Sequence, residues 1–426
     1  MKRHRTFLAL LLSLLLLTGC AAPPTATVDT AAATEPTTFQ DTLLRTEPYT
    51  EPETDKERLA YRREVVVAEM RRMMSMLWTP AQDIVYKHAS YPVTLKAGRI
   101  YRGMPYAHGS GSGHGFLTYA TAQDEHGVYT ISGLDGRSMT GKVGTARISN
   151  DCADAVYWAW STVSTSIRFH YTNRMTDTYG CIKVGDYVCD RASYNSSTKT
   201  VIQENGTSTM LRSYAKLQKG DALVLYTNSS GGHAVMVSEV HVERNRSGID
   251  PYNSYVRILE QISSNLSAEN TYFDEALGQE VYLACGVDTK WSFQTLLNKG
   301  YLPVTCKELI DPAPLTKESV VDSAKEYSFK TLHSGTITAS YPISSLTMTI
   351  TDAQGSPVQK ATCYAGESNN RYLFYMSQFN SPLERLLMQG SYDPKALTPG
   401  DYHCTLTCQI ATGRTFTVRD FDFTVE

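Results

Sequence analysis

The sequence predicts an α+β fold in which a helix packs on an antiparallel sheet and an all-β module follows. The helix is predicted after "ND", where apolar residues recur at helical spacing in "CADAVYWAW". The sheet is predicted from three short apolar strands, "KGDALVLY", "GGHAVMVSEV" and "SYVRILEQIS". The chain changes character after two prolines near residue 313, and from about residue 325 it consists of short alternating strands. These patterns predict a first domain over residues 55–315 and a second over 325–426.

The N-terminus predicts export. A positive segment, "MKRHR", precedes the apolar segment "FLALLLSLLLL", which is too short to span a bilayer and has the layout of a secretory signal. The following "LTGC" ends at Cys20 and resembles the bacterial lipobox. That resemblance implies a signal peptide over residues 1–20, a lipid on Cys20 and an extracytoplasmic protein anchored to the bacterial membrane. The alternative is an ordinary cleaved signal with a chance cysteine.

A tether and a long helix are predicted next. Residues 21–54 are rich in Ala, Thr, Pro and Glu without apolar periodicity, which predicts a disordered tether. Thr54 and Glu57 form a capping box, and apolar residues recur from Leu59 at helical spacing until Pro80 is expected to stop the helix. Further along, "GDYVCDRA" and "TKTVIQE" are predicted as strands or hairpin arms.

Charge and cysteine content exclude some functions. The net charge is −3 and no Lys/Arg run follows the signal, so a nucleic-acid partner is not expected. The nine cysteines include Cys20, and the remaining even number permits disulfides whose connectivity spacing cannot fix. Cys363 is a candidate partner for Cys404 or Cys408. No CxxC pair or Cys/His cluster has zinc spacing, so neither a metal nor another cofactor is expected.

Cys152 lies at the start of the predicted helix, where Asn150 or Asp151 is a plausible N-cap. A cysteine in a first helical turn faces unpaired backbone N–H groups and the positive end of the helix dipole. Both features favour the thiolate, which is the nucleophilic form of cysteine. Since cysteine is also among the residues most often buried in cores, a purely structural Cys152 stays open at this point.

Two further residues complete a candidate catalytic set. A thiolate nucleophile needs an imidazole, and the imidazole needs a third group to hold it. His233 lies at the mouth of the strand "GGHAVMV", and Glu260 interrupts the apolar run of the next strand. A carboxylate buried there needs a partner such as a histidine N–H. A satisfied core histidine and a solvated glutamate are the alternatives, but Cys, His and a third polar residue follow one another in papain-like order.

These residues resemble the NlpC-type cell-wall peptidases and their relatives, the cysteine, histidine-dependent amidohydrolase/peptidases. The family's "PYxxGG" loop is similar to "PYAHGSG", and its "DC" helix start to Asp151 and Cys152. Its "GD" strand and Gly-His strand are similar to "KGDALVLYTNSSGGHAVMV". The "EQ" of the amidohydrolase branch is similar to Glu260 and Gln261. The likeness covers roughly residues 98–265 and implies a papain-like cysteine peptidase core.

The resemblance implies a role for each matched residue. Cys152 would be the nucleophile, His233 would transfer its proton, and Glu260 would orient His233. The hydroxyl of Tyr106 would join the backbone N–H of Cys152 as an oxyanion donor. Asp151 is most simply an N-cap, and a substrate contact is the second interpretation.

The chain also departs from the family pattern. Ala153 and Asp154 follow Cys152 where the family usually has Ser-Gly, which puts the peptidase branch's cleavage specificity in doubt. Ile262 and Ser263 stand where the amidohydrolase branch often has an asparagine. The segment between the "PY" loop and the cysteine is longer than usual, which predicts an inserted hairpin at the rim of the cleft.

The function implied by the resemblance is hydrolysis of amide bonds in peptidoglycan stem peptides through a thioester intermediate. An outward-facing protein on a tether would work beside the wall. Two alternatives stay open. In the first, the chain is a catalytically inactive wall-binding or adhesion lipoprotein that uses its second module. In the second, it is a papain-like enzyme of another kind, such as an acyl transferase or a protease.

The second module is predicted to be an all-β sandwich. In "SLTMTIT", Leu346, Met348 and Ile350 fall on one face, and "YHCTLTCQI" has the same alternation. The turn-rich "LTPGDY" leads into the second of these strands. The module resembles bacterial immunoglobulin-like domains, mainly in composition.

Overall fold

The computed structural model describes residues 50–87, 92–106, 115–132, 150–167, 172–176, 181–229, 231–262, 270–364, 372–380 and 388–426. The predicted signal peptide with Cys20, and the predicted tether up to residue 49, lie outside the described residues. So do residues 107–114, the rest of the "PYAHGSG" loop, and residues 133–149.

Helices are fewer than strands in the described chain. The helices are α1 (Asp55–Ser75), α2 (Cys152–Trp160), α3 (Arg191–Ser196), α4 (Thr198–Tyr214) and α5 (Phe293–Lys299). The strands are β1 (Leu77–Pro80), β2 (Ile84–Lys87), β3 (Pro92–Leu95), β4 (Ile100–Arg102), β5 (Ala120–Gln123), β6 (Tyr129–Ile131), β7 (Cys181–Lys183), β8 (Ala222–Thr227), β9 (Gly231–His241), β10 (Arg244–Asn245), β11 (Gly248–Ile249), β12 (Tyr255–Gln261), β13 (Thr271–Asp274), β14 (Gln279–Leu283), β15 (Cys285–Ser292), β16 (Leu302–Cys306), β17 (Val320–Asp322), β18 (Thr336–Ala339), β19 (Ile343–Asp352), β20 (Pro357–Tyr364), β21 (Leu373–Tyr375), β22 (Met388–Ser391), β23 (Gly400–Ile410) and β24 (Thr415–Val425). In this described part, none of the helices has the length and apolar character needed to cross a bilayer.

The start of α1 is confirmed, but its predicted end is wrong. The Thr54 hydroxyl accepts the backbone N–H of Glu57 at 3.4 Å as an N-cap does, and it donates to the Glu57 carboxylate at 2.6 Å. The helix ends at Ser75, and the residues up to Pro80 form β1 instead. Trp78 explains the change, because it is fully buried at the centre of a sheet and donates its indole N–H to the carbonyl of Gly103 at 2.8 Å.

The folded chain begins earlier than the tether prediction allows. Glu51 forms an ion pair with Arg62, whose side chain is fully buried, and its second oxygen accepts the backbone N–H of Leu315 at 2.9 Å. The guanidinium of Arg62 also donates to the carbonyls of Glu308 and Asp311. Glu51, which the composition assigned to a tether, is therefore held against α1 and against Leu315.

The strand prediction for "TKTVIQE" is also wrong. These residues form the first two turns of α4, which Ser197 caps by accepting the N–H of Lys199. Val201 and Tyr214 are buried on the same helix. "GDYVCDRA" forms a turn and an extended lead-in to α3, and the neighbouring strand is β7. The β-branched residues of this segment favour a strand, but burial of its apolar side chains against the sheet stabilises the helix.

The predicted antiparallel sheet is present and supports α2. It has six strands in the order β15–β12–β9–β8–β16–β7, each antiparallel to its neighbours. All nine residues of α2 are buried, and the helix packs on β9 and β12. Trp160 donates its indole N–H to the carbonyl of Gly220, and Trp158 donates to the carboxylate of Glu69 on α1. The fold is therefore mixed α+β and mostly β.

A second sheet lies in the same part of the chain, in the order β13–β14–β4–β1–β6–β5. Strands β5 and β6 form an antiparallel hairpin with a turn at Asp124–Gly127, within the segment that was predicted to contain an inserted hairpin. The carbonyl of Ala120 on β5 accepts a hydrogen bond from Gln389 of β22 at 2.7 Å. This contact joins the hairpin to the C-terminal strands, and the described residues from 50 to 426 belong to one compact unit.

The C-terminal strands form a five-stranded sheet, β22–β20–β19–β23–β24, and a three-stranded sheet, β17–β18–β21. The predicted inward face of β19 is confirmed, since Leu346, Met348 and Ile350 are buried in a separate hydrophobic core. The candidate disulfides from Cys363 are wrong. Its strand β20 lies on the opposite side of β19 from β23, so Cys363 is about 10 Å from Cys408, which faces it across Leu346, and it is farther from Cys404. Both separations exceed what a disulfide permits.

A buried ion pair joins α1 to the start of β8. Arg63 donates to the Asp221 carboxylate at 2.8 Å and to the carbonyls of Lys219 and Leu309. Both side chains are at most 9% exposed. Burial raises the pKa of Asp221, although Arg63 acts in the opposite direction. Asp221 is the aspartate of the "GD" motif, so its role in the described structure is to hold α1 on the sheet.

Arg63→Met is expected to lower the free energy of unfolding of the N-terminal core by about 3–5 kcal/mol, because it leaves the buried Asp221 carboxylate without its cation. Tryptophan fluorescence during guanidinium chloride unfolding measures this, since that core contains every tryptophan of the chain: Trp78, Trp158, Trp160 and Trp291. The control is Lys96→Met, which breaks the exposed Lys96–Asp83 pair and should leave the midpoint unchanged. Equal midpoints for Arg63→Met and the parent protein would contradict the prediction.

Candidate active site

Cys152 is the first residue of α2, as the sequence predicted. Asp151 is the N-cap: its backbone is extended and its side chain accepts the N–H of Asp154 at 2.8 Å. Cys152 is 5% exposed, so its sulfur lies just below the surface of the described structure. The first turn of the helix places backbone N–H groups and the positive end of the dipole next to that sulfur.

His233 is the third residue of β9, and two glycines bring it into place. A Cβ atom at Gly232 would lie 2.0 Å from the Thr172 hydroxyl and 2.5 Å from the carbonyl of Leu225. Only glycine therefore lets the strand pass between these two groups. The side chain of His233 is 18% exposed, which leaves one edge of the ring accessible.

The structure brings Cys152, His233 and Glu260 together. His233 Nε2 lies 3.0 Å from Glu260 Oε2, and the Glu260 side chain is 10% exposed. Cys152 acts on the same ring, because its charge and its hydrogen bonding raise the pKa of His233. Because Nε2 faces Glu260, the nitrogen available to the sulfur is Nδ1. Three side chains from a helix start and two adjacent strands therefore interact through one imidazole.

Opposing effects set the pKa of His233. Burial lowers it, because desolvation disfavours the imidazolium. The charge and hydrogen bond of Cys152 raise it, those of Glu260 add to this, and together they raise the pKa of His233 from 6.5 to about 10. A folded-state pKa above the ordinary value means that protonation stabilises the fold fully below pH 6.5. That contribution is lost as the pH rises through about 10.

Gln261, the second residue of the "EQ" pair, holds a different part of the site. It is fully buried, and its amide donates to the carbonyl of Met104 at 2.6 Å. The Cys285 thiol donates to the Gln261 side-chain oxygen at 3.0 Å. Since successive strand residues face opposite sides of a sheet, Gln261 points away from His233. It fixes the backbone two residues before Tyr106.

Tyr106 and Asp151 lie beside the nucleophile candidate. Tyr106 forms a parallel β-bridge with Asn150, two residues before Cys152, and is 8% exposed. The backbone of the "PY" segment therefore runs next to the chain that enters α2. The role of the Tyr106 hydroxyl as an oxyanion donor stays a prediction. The carboxylate of Asp151 is engaged as the N-cap and is 3% exposed, and its predicted substrate contact also stays a prediction.

Two neighbours of the site were not anticipated from the sequence. Gly286 lies directly opposite Glu260 in the pairing of β12 with β15. An isolated glycine in a strand signals a close approach, but β15 itself had not been recognised as a strand. Tyr301 is buried nearby: burial raises its pKa well above the ordinary value, and negative charge at Glu260 and Cys152 adds to this.

The lipidation site predicted at Cys20 lies outside the described residues. Within the described ranges, no group of three or more His, Cys, Asp or Glu side chains is placed to hold a metal ion.

Comparisons with known proteins add no family. No protein-family model matches the chain, and no curated protein matches it. Among solved structures, the chain is similar to the crystal structure of a tetra-tandem repeat in the extending region of a large adhesion protein. That likeness has 13% identity and a TM-score of 0.16, and it covers 48% of this chain and 40% of the other. At this TM-score it carries no argument about fold or function.

The ring of His233 is expected to titrate near pH 10 in the folded protein. Cys152→Ala should lower this pKa by more than Glu260→Gln does, because Cys152 contributes the larger raising effects. Carbon-13 labelling of histidine Cε1 followed by NMR measures the titration. The remaining histidine signals should titrate alike in all three proteins. A His233 that titrates near 6.5 in the parent protein, or one that Cys152→Ala leaves unchanged, would refute the arrangement.

Proposed function

We propose that this chain is a cysteine hydrolase that cleaves amide bonds in the stem peptides of peptidoglycan. The observation that carries the proposal is the imidazole of His233, which is hydrogen-bonded to Glu260 and interacts with Cys152 at the start of a buried helix. The substrate class is supported by the resemblance of four motifs to cell-wall amidases and by the predicted export. The proposal includes a papain-like core, an immunoglobulin-like C-terminal module and a membrane anchor at Cys20.

The proposed reaction begins with the sulfur of Cys152 as an anion and the ring of His233 as an imidazolium. The sulfur attacks the amide carbonyl carbon, and the carbonyl oxygen becomes an oxyanion. The backbone N–H of Cys152 at the helix start, together with the hydroxyl of Tyr106, would donate to that oxygen. Nδ1 of His233 gives its proton to the leaving amine as the C–N bond breaks, which leaves a thioester.

The second half of the proposed reaction restores the site. His233, now neutral, takes a proton from water while the water oxygen attacks the thioester carbon. The C–S bond breaks, the product leaves as a carboxylic acid, and Cys152 returns as the anion beside the imidazolium. Glu260 accepts from Nε2 throughout, which fixes the ring with Nδ1 towards the sulfur and stabilises its positive charge.

Digestion of purified sacculi tests the proposed activity. The protein is expected to release new amine and carboxyl ends, which mass spectrometry identifies. Cys152→Ala should abolish release, and His233→Ala should slow it by about 10²- to 10⁴-fold because the proton transfers are lost. Cys363→Ala, a cysteine variant in the C-terminal module, serves as the matched control and should keep full activity. Intact sacculi with the parent protein would overturn the assignment, and a cleaved protein or an acyl-transfer product would indicate another papain-like enzyme.

Iodoacetamide at neutral pH is expected to label Cys152 before four other buried cysteines, Cys285, Cys306, Cys404 and Cys408. Burial raises the pKa of Cys285 and Cys306, and it raises those of Cys404 and Cys408 to about 12. These thiols are therefore protonated and shielded, and they should react slowly. Peptide mapping by mass spectrometry gives the labelling rates, and His233→Ala should slow the labelling of Cys152 alone. Equally slow labelling of Cys152 in both proteins would favour the inactive wall-binding lipoprotein.

A further inference from the structure

The strand that carries Glu260 has an irregular neighbour on one side. On β15, Thr289 pairs with Ile258, but Gly286 pairs with Glu260. One residue of β12 lies between these two pairs, whereas β15 has two residues there, Val287 and Asp288. Strand β15 therefore contains one extra residue. This is a β-bulge, a feature that re-aims side chains and is frequent beside active sites.

The strand on the other side of β12 is irregular at the same level. On β9, Glu239 pairs with Arg257, but Val237 pairs with Ile258. Arg257 and Ile258 are consecutive on β12, whereas Ser238 lies between their partners on β9. Ser238 is therefore the extra residue. Both neighbours of β12 therefore bulge within the three residues that precede Glu260.

One carboxylate joins the two bulges. The Ser238 hydroxyl donates to Asp288 Oδ1 at 2.6 Å, which links β9 to β15 across β12. Arg71 of α1 donates to both oxygens of Asp288, at 2.6 and 2.8 Å. Asp288 has a φ of 52°, in the left-handed region that few residues other than glycine, asparagine and aspartate adopt. The three-way contact holds this conformation and therefore the bulge on β15.

The bulge decides which residue faces Glu260. If the pairing of Ile258 with Thr289 continued without the extra residue, Val287 would lie opposite Glu260. The bulge puts Gly286 there instead. A Cβ atom at position 286 would lie 2.5 Å from Glu260 Cγ and 2.7 Å from its Oε1. Any side chain at this position would displace the carboxylate from its place against His233.

We propose that Asp288 and Gly286 are positioning residues for Glu260. The bulge that Asp288 holds brings Gly286 opposite Glu260, and the space left by the missing side chain lets the carboxylate reach His233 Nε2. Their effect on turnover rests on the proposed function. Their effect on the orientation of His233 does not, because it follows from the contacts alone.

Gly286→Ala tests the proposal. The new methyl group should push the Glu260 carboxylate away and lower the pKa of His233 towards the value in Glu260→Gln, as measured by the histidine NMR titration. The turnover number on sacculi should fall by about 10- to 100-fold with little change in KM, since misplacement of a positioned group affects the reaction step. Val287→Ala, at the adjacent exposed position, is the matched control and should change neither quantity.

The double variant Gly286→Ala/Glu260→Gln separates this effect from general damage. If Gly286 acts only through Glu260, the double variant should have the same His233 pKa and the same turnover number as Glu260→Gln. The proposal would be overturned if the two substitutions lowered the turnover number multiplicatively. It would also be overturned if His233 in Gly286→Ala had the same pKa as in the parent protein. If the parent protein releases nothing from sacculi, the proposed function fails, but the titration of His233 still decides the positioning role.

Asp288 supplies a second test that leaves Gly286 intact. Asp288→Ala removes the contacts to Ser238 and Arg71 and strains the left-handed backbone. The pKa of His233 and the turnover number of this variant should therefore fall as they do in Gly286→Ala. Asp288→Asn should stay within about 3-fold of the parent, because asparagine tolerates the left-handed region and still accepts from Ser238. An Asp288→Ala protein that is folded by tryptophan fluorescence and titrates as the parent would refute the role of the bulge.

Discussion

The imidazole of His233, held between Cys152 and Glu260, is the interaction on which the site depends. Its Nε2 lies 3.0 Å from the Glu260 carboxylate, and Cys152 at the start of α2 also raises its pKa. Burial alone would disfavour a charged ring, so the positive charge persists only while both partners keep their places. Every contact that fixes α2, β9 and β12 relative to one another therefore also supports this one charge.

Helix α1 supplies much of that support through polar side chains. Arg63 reaches the Asp221 carboxylate before β8, Glu69 accepts from Trp158 of α2, and Arg71 holds the Asp288 bulge beside β12. Since charged groups in a buried region need specific partners, these contacts fix the position of α1 more closely than apolar packing alone would. The helix is thus linked to the element that carries the sulfur and to the strands that carry or adjoin the other two residues.

The failed predictions share a physical cause. "TKTVIQE" has the β-branched residues of a strand but forms a helix, because burial against the sheet outweighs a propensity of a few tenths of a kcal/mol per residue. The chain after Ser75 continues a helical apolar pattern yet pairs as β1, since Trp78 is buried between β4 and β6. Glu51 stands in a segment of tether composition but pairs with the buried Arg62. In each case, contacts with residues distant in the sequence determined the local structure, and the local pattern does not contain that information.

The sequence by itself determined the mixed α+β class, the capped helix start at Cys152, the three central strands and the candidate set of Cys152, His233 and Glu260. These features depend on local chemistry: helix capping, apolar periodicity, and the cost of burying a carboxylate without a partner. Only the tertiary structure decided that the three side chains meet, that Gln261 holds Met104, and that two bulges bring Gly286 opposite Glu260. Strand register and bulges depend on pairing between residues far apart in the chain, and no local pattern in either strand encodes which residue will lie opposite.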